Sequence, residues 1–153
     1  MTLQASLAVA EELRPSPGMR LHQRILVALD SSDHANAALR SAAELAGLDS
    51  DAVITGSHVY AAKLHDMRFR QMEGGLPEQF RQEQELERQR DVHDDLITRG
   101  LSIITDSYLD QAATHCDQLG IDFRRSSLEG KNYRALTTET NSGAYDLLVM
   151  GAL

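Results

Sequence analysis

Asp30 is the residue whose setting offers the clearest chemistry. It closes the apolar run Ile25-Leu26-Val27-Ala28-Leu29 and opens the polar turn Asp30-Ser31-Ser32. A carboxylate there either ties down its own turn or accepts hydrogen bonds from a ligand beyond the strand end. Other titratable groups form weaker patterns. His93-Asp94-Asp95 and His115-Cys116-Asp117 set metal-ligating types side by side. Adjacent helical positions point apart and neither set has zinc-site spacing, so both read as solvated faces. Cys116 falls on an apolar stripe and reads as a buried, inert thiol. His58 lies within an apolar segment and reads as a packed histidine. Gly130-Lys131 matches the close of a Walker loop, but Arg125 stands where that motif requires Gly and Asn132 where it requires Ser or Thr. There is no Gly-x-Ser-x-Gly elbow and no Ser/His/Asp set recognisable by spacing. The pattern is that of a binding site, with no catalytic residue and no metal ligand assigned.

The elements that would position these groups follow from periodicity. The run at Ile25–Leu29 has the continuous apolar character of a strand buried on both faces. Ala35, Ala38, Leu39, Ala42 and Ala46 then follow helical spacing, with Ser31 or Ser32 as cap and Gly47 as stop. Residues 52–60 read as a second strand, completing a βαβ unit. Residues 63–77, with Gly74-Gly75-Leu76-Pro77, read as a long connection of the kind that forms lids or binding loops. Residues 78–99 read as a charged helix supported by Glu85 with Arg88 and Arg90 with Asp94. Gly100 interrupts, and Leu101, Ile104, Tyr108, Ala112, Cys116 and Leu119 mark a second helix. Residues 121–125 read as a third strand near an edge, 126–131 as a turn and 133–141 as a short helix. Residues 145–150 form a fourth strand apolar enough to be central. This alternation predicts an α/β, doubly wound parallel sheet with a helical insert, about 63–100, after strand two. Ligands bind such sheets beyond the carboxyl ends of the strands, here at Asp30, Val59 and Gly151.

Composition narrows the classes. The chain has 153 residues with a net charge of −8. That length fits one domain, and no basic patch supports nucleic-acid binding. No apolar run approaches the roughly 20 residues of a membrane span. The first residues carry Glu11 and Glu12 and no basic start, which argues against a signal peptide and for the cytoplasm. Pro15, Ser16, Pro17 and Gly18 break any helix near the start, so 1–21 reads as a loosely ordered tail ahead of a domain over 22–153.

The three strand ends together resemble a universal stress protein domain. Ile25-Leu26-Val27-Ala28-Leu29-Asp30-Ser31-Ser32 with Ala35 and Ala38-Leu39 is similar to that family's opening. Ser57-His58-Val59 is similar to its second strand, and the stretch from Leu128-Glu129-Gly130 to Met150-Gly151 to its approach to the fourth. The resemblance implies a flavodoxin-like sheet of order 3-2-1-4-5 and, in many members, ATP or another adenine nucleotide as ligand, with Mg only alongside ATP. It assigns nucleotide contacts to Ala28, Asp30, Ser31, Val59, Gly130, Met150 and Gly151. It implies a regulatory module and a homodimer, with weak ATP hydrolysis at most. The family's glycine-rich phosphate loop begins at Gly151, and the rest of that loop and the fifth strand are absent. This departure raises the alternative of an interaction scaffold that binds no nucleotide, with a protein partner on the insert, or of a fragment of a longer protein.

Overall fold

The computed structural model describes residues 23–152, so the tail expected over 1–21 lies outside it. Strands β1 (Arg24–Ala28), β2 (Val53–Tyr60), β3 (Asp122–Glu129) and β4 (Leu147–Val149) form one sheet of order β3-β2-β1-β4. All three pairings are parallel. This is the expected 3-2-1-4 order of a flavodoxin-like α/β fold. β1 lies inside the sheet, which is why Ile25, Leu26 and Val27 are fully buried. β4, although apolar enough for a central strand, pairs with β1 alone among the described strands, as the order 3-2-1-4 without a fifth strand implies. Leu147 and Val149 pack against the core, while the outer backbone edge of β4 faces no described strand.

Helices cover both faces. α1 (Asp33–Ala46) lays Ala35, Ala38, Leu39, Ala42, Ala43 and Ala46 against β1. These small side chains let helix and sheet approach closely. Ser32 caps α1, its hydroxyl accepting the Ala35 N–H at 3.1 Å. The same face takes the C-terminal third of α3 (Glu83–Gln118) through Leu109, Ala112 and Cys116. The opposite face carries the short α4 (Asn132–Thr140), which has no fully buried residue.

The insert departs most from expectation. Residues expected to form a long loop fold as α2 (Ala62–Met72), followed by two short 3₁₀ turns at Glu73–Gly75 and Glu78–Phe80. α2 packs on α3 through a stack of Phe69 on His93, centroids 4.1 Å apart, and carries an Arg70–Asp66 pair within its own turn. α3 runs without a break through Gly100, so the two expected helices are one of 36 residues. A glycine inside an exposed helix costs only about 1 kcal/mol, which the flanking turns outweigh. The expected Arg90–Asp94 pair is replaced: Arg90 forks onto Glu73, with Nε and Nη2 each 2.7 Å from a carboxylate oxygen, and also reaches Glu83. The buried stripe keeps the expected Ala112 and Cys116 and is shifted by one residue before them. Thr105, Leu109, Ala112 and Cys116 are buried, while Ile104 and Leu119 are exposed. β3 is longer than the expected strand and absorbs most of the expected turn, because it pairs with β2 residue by residue from Asp122 to Glu129.

Tyr145, just before β4, donates its hydroxyl to Glu139 at 2.6 Å. Burial, and then that carboxylate, push the phenol up to about 12. A phenol raised in this way adds stability that is complete below its ordinary value of 10.0 and is lost as pH climbs through about 12. In an ultraviolet titration of the tyrosines, Tyr145→Phe is expected to remove the last-titrating component and to shrink the loss of stability across that range. A high-pH component that persists in Tyr145→Phe would assign it to another phenol.

Candidate functional site

The β1–α1 turn is built by its own polar side chains. The Asp30 carboxylate accepts the Ser32 N–H at 3.0 Å. Ser31 between them has φ 62°, the only positive φ of a described non-glycine residue. Holding an L-residue there costs free energy, so the turn is fixed by its surroundings. Hydrogen bonding from Ser32, side chain first and amide second, holds the Asp30 carboxyl below its ordinary value of 3.8. Asp30 is therefore an exposed, fully ionised acceptor at neutral pH.

β2 extends past this turn. Its pairing with β1 ends at Ala28 opposite Ser57, and the Leu29 N–H then donates to the Ser57 carbonyl at 2.8 Å. Backbone groups of a strand repeat every second residue, so the Val59 N–H and C=O face the same side as those of Ser57. At Val59 β1 has already turned away, and a strip of backbone edge lies open. The Leu29 carbonyl is taken by His58, whose Nδ1 lies 2.8 Å away and whose ring packs edge-on against Tyr108. His58 is thus a packed histidine with a positioning task.

Beyond these strand ends lies a crevice of about 310 Å³. The structure brings Ala28, Asp30, Val59, Met150 and Gly151 together around it. It does not bring Ser31 or Gly130 there. Ser31 points into a separate cavity behind the turn. Gly130 has φ 135° and donates its N–H to the Tyr60 carbonyl at 2.8 Å, turning the chain from β3 into α4. Both residues shape backbone near the crevice without lining it.

Sequence reasoning missed the α4 wall, made by Asn132, Tyr133 and Leu136. It also missed Ser57, which period-two alternation from Val59 would have placed on the same face. Ser57 is 1% exposed and its hydroxyl has no partner, which is costly for a buried polar atom. Gly151 abuts α1 so closely that a Cβ would lie 2.5 Å from the His34 carbonyl carbon.

These features fit a small polar ligand. The backbone edge at Val59 offers a donor and an acceptor, the Asp30 carboxylate an acceptor, and the Ser57 hydroxyl has no partner among the described residues. The volume is at the lower end for small-molecule sites. No Lys or Arg lines the crevice, so a phosphate chain would gain little from side-chain charge. Among the described residues no group of three or more His, Cys, Asp or Glu could hold a metal ion. Burial pushes the Cys116 thiol up to about 11, far from a nucleophile's range. No helix among the described residues is long and apolar enough to cross a membrane.

A family model described as the universal stress protein family matches residues 22–152. No curated protein matches the chain by sequence. Among solved structures, the chain is similar to a universal stress protein from Lactobacillus plantarum, with TM-score 0.62 and 18% identity over 88% of this chain and 80% of that one. It is similar to a protein from Mycobacterium tuberculosis H37Rv, with TM-score 0.54 and 18% identity over 89% of this chain and 75% of the other. It is also similar to a universal stress protein family protein from Arabidopsis thaliana solved with AMP bound, with TM-score 0.52 and 15% identity over 85% and 76% of the two chains.

Proposed function

Because the chain belongs to the universal stress protein family, we propose that it is a regulatory binding module that holds an adenine nucleotide in the crevice beyond β1, β2 and β4. The observation that carries this reading is the convergence of Ala28, Asp30, Val59, Met150 and Gly151 on one 310 Å³ crevice. The relative solved with AMP bound supports it. In this reading the base lies against the Val59 backbone edge, Asp30 accepts from the ribose hydroxyls, and Gly151 lets the chain pass close to α1. The ligand's phosphates lie toward the mouth, with Mg accompanying a triphosphate only. The module acts by binding, as a homodimer in the cytoplasm. No side chain in the crevice is placed as nucleophile or general base.

The test is calorimetric titration of the chain with AMP and with ATP, and of Asp30→Ala alongside. We expect affinity on the order of micromolar, and a loss of about tenfold or more in Asp30→Ala, the usual worth of a hydrogen bond to a charged group. Asp30 is exposed, so this variant is expected to fold. Absence of binding at millimolar nucleotide would overturn the reading. It would favour an interaction scaffold, for which the exposed Leu64, Met67, Val92 and Leu96 of the insert are the specific support.

A further inference from the structure

Behind the β1–α1 turn, on the sheet face opposite α4, lies a second cavity of about 230 Å³ between α1 and α3. We propose that it binds a small organic anion, a carboxylate or phosphate on a compact apolar body. Its floor is apolar, made by Leu29, Leu39 and Ala112, all at least nine-tenths buried. Its walls are polar: Asn36 and Arg40 from α1, Gln111 and His115 from α3. None of these four side chains has a hydrogen bond or ion pair with another described residue.

The sign of the charge selects the ligand. No carboxylate lines the cavity, although the chain carries 23 acidic residues against 15 basic ones. Arg40 supplies a planar fork of donors suited to a carboxylate or phosphate. Asn36 and Gln111 add amide donors on either side, and His115 adds a ring N–H. An apolar floor under a ring of donors favours an ion with a hydrophobic body over a fully hydrated one. Some arginines are paired, Arg24 with Asp146, Arg90 with Glu73 and Arg99 with Asp95. Arg40 has no acidic partner among the described residues, and it borders the cavity. Ser31, the strained residue of the turn, also lines this cavity, while its neighbours Asp30 and Ser32 line the crevice. The two sites are therefore separated by one turn and remain distinct.

The experiment is nuclear magnetic resonance titration of the full chain with phenyl phosphate, benzoate and inorganic phosphate as probes. Saturable shifts are expected at the Arg40 side chain, the Ser31 amide and His115, with affinity tighter than about 1 mM for an organic probe. Inorganic phosphate is expected to bind more weakly because it leaves the apolar floor uncovered. Arg40→Gln should weaken the organic probes about tenfold or more, and Arg40→Lys by less. Arg40 is exposed, so both variants keep the fold. Adding AMP should leave these shifts in place. Three results would overturn the proposal: no saturable shift up to about 10 mM, shifts confined to crevice residues such as Val59, or an affinity indifferent to Arg40→Gln.

Discussion

Gly151→Ala is expected to remove nucleotide binding and to lower stability by about 1–3 kcal/mol, the range for forcing a methyl group into a packed site. The added Cβ would lie 2.5 Å from the carbonyl carbon of His34, 2.6 Å from its Cβ and 2.7 Å from its oxygen. His34 is in the first turn of α1, which the Ser32 cap and the buried Ala35 and Ala38 hold in place. A flexible side chain could swing aside, but this is largely backbone. Either α1 or the segment after β4 must move, and both line the crevice. Denaturant unfolding and nucleotide titration of the same variant read the two effects together. Met150→Ala is the matched control for stability alone, because Met150 is 57% exposed and its truncation leaves α1 untouched. Native stability and affinity in Gly151→Ala would mean that the close approach plays no part in either.

The second large effect is expected at the centre of the sheet. Glycine within a strand is usually a weakness, and alanine in its place usually an improvement. At Gly56 the sign is reversed. A Cβ there would meet the Phe123 ring, with Cε2 at 2.9 Å, and Leu29 Cδ1 at 2.9 Å. Phe123 is partly buried against the main core, and Leu29 belongs to it. Gly56→Ala is thus expected to destabilise by about 1–3 kcal/mol as the ring is driven outward. In a Phe123→Leu background the obstruction is mostly gone, and Gly56→Ala is expected to be neutral or stabilising. A double-mutant cycle by chemical denaturation measures the difference. Equal effects in both backgrounds would show that the ring is not what Gly56 accommodates.

How much of this could be read beforehand depended on the kind of signal each residue gives. The β1 run, the alanine spacing of α1 and the helix after residue 131 are local patterns, and the structure follows them. The order 3-2-1-4 came with the resemblance, whose carriers sit at strand ends where the fold constrains residue type. The insert carries no such constraint. Its helices are stabilised by each other, through Phe69 on His93 and Arg90 on Glu73, and those contacts join residues 17 or more apart. Gly100 read as a break because propensity is a local quantity, whereas the helix around it is held from both ends. The buried stripe of α3 holds at Ala112 and Cys116 but shifts by one residue before them, where Thr105, a polar type, takes the place expected of Ile104. At the crevice, the strand ends were visible in sequence. The α4 wall of Asn132, Tyr133 and Leu136 was not, since it depends on how Gly130 re-aims the chain.

One consequence of the unbroken α3 concerns cooperativity. At about 1.5 Å per residue the helix is about 54 Å long, yet its buried positions from Thr105 to Cys116 all fall in its last half. Before them only Leu86 is buried, and it lies in the hairpin with α2, which has no buried residue. One continuous helix therefore belongs to two structural units of unequal strength. The hairpin half can open while the sheet half stays docked, so α3 is a place where the protein stops behaving as a single two-state body. Amide exchange along this one helix would run as a gradient, fast in the hairpin and slow beside the sheet, with Gly100 close to the boundary.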